Sequence, residues 1–114
     1  MPKTNGSHKR SAASLIRYLP CKAEPGMFKG ELLVYLHGLH PERRGESIRV
    51  QMLVDEQEVK ALTGEPKRNN PVSGWLKVSL GHEEGGVAEV VLPQPAQPVG
   101  ESLLVRSSEL KKAV

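Results

Sequence analysis

The chain has 114 residues, 38% of them hydrophobic and 25% charged, with a formal net charge of +3; that is enough for one domain with a modest core, and too apolar for a disordered chain. A single cysteine, Cys21, excludes an intramolecular disulfide framework and fits a reducing compartment. No apolar run approaches the ~20 residues of a membrane-spanning helix, and the polar start lacks the apolar segment of a signal peptide, so the expected location is cytoplasmic.

The charge is uneven. Residues 1–23 hold Lys3, Lys9, Arg10, Arg17 and Lys22 and no acid, whereas the remainder has two more acidic than basic residues. Residues 1–13, rich in Ser, Asn, Gly and Lys without periodicity, read as a disordered basic arm. A basic arm points to nucleic acid; its plainer reading is a solubilising tail.

The single β-rich domain expected over 14–106 opens with a short apolar run, 14–19, that Pro20 should stop, followed by a turn ending in Pro25-Gly26. The central strand pair comes next. Residues 28–37 and 47–54 are apolar runs joined by a polar bend at 38–46 that carries Gly38, Pro41, Arg43, Arg44 and Gly45. In the second run Ile48, Val50, Met52 and Val54 alternate with Arg49 and Gln51, giving one core face and one wet face. In the first, Leu32, Val34 and Leu36 share a face while Leu33 and Tyr35 make the other face apolar too, so this strand is expected to be covered on both sides.

Asp55 and Glu58 are spaced as a capping box, Val59 and Leu62 could share a face, and Gly64 is placed to end a helix, which predicts about two helical turns over 56–63. A loop at 65–73 precedes a strand at 74–80, a turn at 81–86 and a return strand at 87–92. Pro93, Pro95 and Pro98 predict an extended, exposed segment outside any ladder. A last short strand at 102–106 leads into a tail, 107–114, with a frayed helical turn starting near Ser108. The expected fold is therefore mainly β: a small antiparallel barrel of five to six strands with one short helix. In element order alone it resembles the OB arrangement, in which a helix joins the third and fourth strands.

Motifs for catalysis are missing. His37 and His40 stand three apart, but Cys21 and His82 do not form the second close pair that zinc sites show, so no metal site is assigned. Cys21, between Pro20 and Lys22 in an expected turn, has no nucleophile context. Asp55 is explained by a helix start, and no glutamate pair marks a cleft. The stretch 81–86 lacks the Lys-Ser/Thr ending of a phosphate loop. The expectation is a non-enzymatic protein without cofactors. Single-stranded nucleic acid, DNA or RNA, is the first partner class, since phosphate wants charge and bases want a π face. Its candidate residues are Lys3, Lys9, Arg10 and Arg17 in and after the arm; Arg43, Arg44, Lys67 and Arg68 in loops; and Trp75 and Lys77 on a strand. For Trp75 the plainer reading is a core tryptophan. The alternative function is a protein-interaction module or accessory subunit, docking through an apolar sheet face and residues 93–98, or pairing as a homo-oligomer.

Overall fold

Alternation of side chains decides most of the architecture. In β1 (Ile16–Pro25), β2 (Glu31–Leu39) and β3 (Ser47–Asp55), every second residue is buried: Leu19, Cys21 and Ala23; Leu32, Val34 and Leu36; Val50, Met52 and Val54. Successive strand residues point to opposite faces, so each strand gives one face to the interior and one to solvent. A 3-10 turn, Glu56–Glu58, leads into the two-residue β4 (Val59–Lys60). Then come β5 (Val72–Glu84), β6 (Val87–Ala96), β7 (Gly100–Arg106) and a second 3-10 turn, Ser107–Glu109. The computed structural model describes residues 15–43 and 45–114. The expected arm, 1–13, and Arg44 lie outside the described residues.

All ladders are antiparallel. β1 pairs with β2 and with β5, β5 with β6, and β6 with β7. Leu39 of β2 opposite Leu104 of β7 closes the five strands into a ring. Closure depends on Gly38: a Cβ there would lie 2.7 Å from the Leu104 carbonyl oxygen and overlap the Leu103 side chain. Beyond the ring, β3 runs along β2 over its whole length, and β4 pairs with β5. The fold is thus the expected mainly β barrel, with extra strands.

The interior is aliphatic. Leu, Val, Met and Ala with Cys21 fill it, and no aromatic ring and no polar side chain is buried among the described residues. Each fully buried Leu or Val contributes roughly 1.5–3 kcal/mol relative to exposure.

Several local expectations are corrected. The helix expected over 56–63 is absent. Asp55 does cap, its Oδ1 accepting the Gln57 amide at 2.9 Å, but the 3-10 turn ends at Glu58. Val59 and Lys60 instead pair with Leu76 and Trp75, and Val59 is buried. A two-turn helix is marginal by itself, and the neighbouring β5 offers both ladder bonds and a core position.

Pro20 does not stop β1. Tyr18 exchanges hydrogen bonds with Lys111, so the even residues of β1 turn their backbone away from β5. The missing N–H of Pro20 falls on that side, where pairing with β2 has not begun; it starts at Lys22. Residues 93–98 are not a free segment either. Pro93 and Pro95 occupy the register break of β6 between Val91 and Ala96, while Ala96 is buried and pairs with Gly100. Gln97 exchanges hydrogen bonds of 3.0 and 3.1 Å with Gln51 of β3.

The turn expected at 81–86 shrinks to Gly85-Gly86, both at positive φ as a type I′ hairpin requires, with β5 bulged between Leu80 and His82. After Ser107–Glu109 the tail returns to the barrel: Leu110 packs on the core and Lys111 pairs with Tyr18.

Candidate nucleic-acid interface

With a core made of aliphatic chains, all four aromatic residues lie outside it. Phe28 is 73% exposed in the β1–β2 loop, and Tyr18, Tyr35 and Trp75 are half-buried on strand faces turned away from the interior. Strand register decides which of them meet. Directly opposed residues of an antiparallel pair share a face. Trp75 of β5 stands opposite Pro20 of β1 and opposite Lys60 of β4. One step along, Lys22 of β1 is opposite both Ser73 of β5 and Tyr35 of β2, and Tyr35 is opposite Gln51 of β3. His37 and Arg49 form the next pair on this face. Trp75 and Tyr35 are therefore two strands across and two residues along from each other, roughly 12 Å, with Pro20 and Lys22 between them.

A groove of about 620 Å³ runs along this face, with Tyr35, Trp75, Lys22, Arg49 and His37 among its lining and Glu24 and Glu109 as its acids. Lys22 Nζ donates to Ser73 Oγ at 2.8 Å, which fixes the ammonium on the β5 side of the groove. The guanidinium of Arg49 sits 4.6 Å from the centre of the Tyr35 ring, and Lys111 Nζ 4.5 Å from that of Trp75. Such cation–π contacts on exposed rings contribute roughly 0.5–1 kcal/mol each, little enough that a stacking base can displace the cation toward its own phosphate. The groove thus combines flat apolar surfaces with two cations, Lys22 and Arg49, whose charge Glu24 and Glu109 balance, and Lys111 over the Trp75 ring adds a third cation.

The sequence-derived residues are partly assembled here. Trp75 lines the groove, and Lys77, opposite Tyr18, stands beside it on the same outer face. Arg17 belongs to the face of Leu19 and Cys21, half-buried, its Nη1 donating to the Ile16 carbonyl at 2.9 Å. Lys67 and Arg68 ride an exposed turn tied down where the Asn69 amide donates to Glu24 Oε1 at 3.2 Å, at the end of the groove marked by Glu24 and Pro71. Arg43 lies in the β2–β3 loop past Leu39, at the opposite end, 3.6 Å from Glu46 Oε1. Neither Lys67, Arg68 nor Arg43 lines the groove. Lys3, Lys9, Arg10 and Arg44 lie outside the described residues.

Lys22, Arg49 and Lys111 escape a reading of sequence. Arg49 had a local signal, the outward phase of the β3 alternation. Lys22 was hidden by the expected stop at Pro20, and Lys111 by the expected fraying of the tail.

The histidines do different things. His40 Nδ1 accepts the amides of Glu42 and Arg43 at 3.1 and 3.2 Å, and His82 Nε2 lies 3.2 Å from Glu84 Oε1. No group of three His, Cys, Asp or Glu able to hold a metal occurs among the described residues. Nor is any helix among them long and apolar enough to cross a membrane. Compared with protein-family models, with curated proteins and with solved structures, the chain matches none.

Proposed function

We propose that this is a cytoplasmic, non-enzymatic protein that binds single-stranded nucleic acid on the outer face of β5, β1, β2 and β3. The observation that carries the reading is the placement of the rings. A barrel short of aromatics keeps every one of them out of its core, and two of them share one groove with Lys22 and Arg49, with Lys111 over the Trp75 ring. Sequence-tolerant binders of single strands combine just these two elements, a cationic track and stacking platforms. The cations meet phosphates; Trp75 and Tyr35 meet bases. The single cysteine, a free thiol, suits a reducing interior.

The test is a titration of labelled single-stranded DNA and RNA oligomers at low and moderate salt. Binding is expected to weaken steeply with salt, and Trp75→Ala to cost about 1–3 kcal/mol of affinity. Absence of binding at low salt ends this reading. A second reading, docking onto another protein, draws on the exposure of Phe28 (73%) and of Met27 (76%), the latter beside Leu33, Leu53 and Pro95. Apolar docking is nearly salt-independent, and a single stoichiometric protein captured from host extract would favour it.

A further inference from the structure

We infer that a second, uncharged slot beside β3 receives one unpaired nucleobase and lets the protein discriminate among bases. The inference rests on the reading above, because the slot adjoins the proposed groove on the same sheet face. Tyr35 opposes Gln51, and the next pair on that face, about 7 Å along the strands, is Leu33 opposite Leu53.

The slot has a volume of about 450 Å³ and is lined by Leu33, Leu53 and Pro95 together with Gln51, Gln94 and Gln97. Met27 also lines it, and no ionisable side chain does. The backbones of Gln51 and Gln97 are locked to each other, which fixes the strand positions from which their side chains project. The side-chain amides of all three glutamines are uncommitted, bonding to no other described residue.

Each feature narrows the ligand. Without a charge, the slot is not a phosphate site; phosphates belong to Lys22 and Arg49 in the neighbouring groove. Leucine and proline surfaces favour a flat apolar face. Carboxamides carry both donors and acceptors, so they match a neutral group with both along its edge. A nucleobase has that combination, and Gln is a known type of partner for base edges. A strand of nucleic acid stacked at Tyr35 would present its next base to the slot.

The experiment compares the full chain with equally long labelled oligomers of dT, dC and dA, and with an abasic oligomer, at moderate salt. The expected result is a spread of at least about fivefold between homopolymers, with the abasic strand weakest. The double variant Gln51→Ala/Gln94→Ala is expected to reduce that spread to within about twofold while leaving the salt slope unchanged; its urea midpoint checks that it is folded. Equal binding of all homopolymers, unmoved by the double variant but still weakened by Trp75→Ala, overturns the slot and leaves the groove standing. No binding of any oligomer at low salt overturns both. A concentration-dependent dimer that Leu53→Glu separates would assign the slot to a second copy of the chain and overturn the inference as well.

Discussion

Cys21 and Gly38 show how single residues are constrained by the closed barrel. Burial pushes the Cys21 thiol from its ordinary value up to about 12, because a thiolate in an aliphatic core loses its hydration. The sign follows from which state holds the proton. Below about pH 9 the thiol is protonated in both the folded and the unfolded chain and stability does not depend on it. From about pH 9 to about 12 the unfolded chain gives up the proton while the folded chain keeps it, so stability falls as pH rises. Urea unfolding at pH 8 and pH 10 should show that loss, and Cys21→Ala should reduce it. At Gly38, a methyl group has nowhere to go: it would meet the Leu104 carbonyl and the Leu103 side chain, both parts of β7. Gly38→Ala is expected to destabilise by about 1–3 kcal/mol through overpacking, measured as a lower urea midpoint with an unchanged slope. A neutral substitution there would mean that β2 and β7 do not close as described.

Among the elements, the strands were legible where alternation was clean and local. β3 follows its apolar periodicity nearly residue for residue, whereas the second face of β2, Leu33 and Tyr35, is half-buried and turned outward rather than covered as expected. The hairpin of β5 and β6 was visible from its glycines, though placed too wide. Reading failed where a neighbour remote in sequence decided the outcome. The 56–63 segment has sound capping chemistry, and Asp55 uses it, but β5 takes Val59 and Lys60 into a ladder. Pro20 is tolerated because its missing donor faces an unpaired side of β1. The tail reads as frayed, yet it is a structural part: Leu110 packs on the core, and Lys111 exchanges hydrogen bonds of 2.8 and 3.0 Å with Tyr18. Removal of residues 110–114 is therefore expected to cost about 2 kcal/mol, from one partly buried leucine and two backbone bonds. It should also shift Trp75 fluorescence to the red, since Lys111 covers that ring. Lys111→Ala should keep nearly all the stability, because the backbone pairing survives. Equal losses for both variants would contradict this division between backbone and side chain.

For the whole molecule, the candidate site is a product of register. Lys22, Ser73, Tyr35 and Gln51 form one row although they come from four strands, so only part of the site could be seen in the linear chain: Trp75, and Lys77 beside the groove, were, while Lys22, Arg49 and Lys111 were not. The loop cations Arg43, Lys67 and Arg68 were overvalued for the same reason, since their distance from the groove depends on which end of the barrel each loop occupies. This geometry makes a prediction about salt that composition cannot make. If phosphates lie along the groove, Lys22→Ala, Arg49→Ala and Lys111→Ala should each lower the slope of log affinity against log salt by roughly one. Charge elsewhere should matter little. Glu83, exposed near the tip of the β5–β6 hairpin, is ten residues along β5 from Ser73, roughly 30 Å of strand, and salt at physiological strength screens exposed charges beyond roughly 8 Å. Glu83→Gln changes the net charge by one unit, as each groove variant does but with the opposite sign, and it should leave the slope unaltered. Parallel oligonucleotide titrations of the four variants over a range of salt separate the two cases. An effect of Glu83→Gln equal in size and opposite in sign to that of the groove variants would show that net charge, rather than the groove, governs binding.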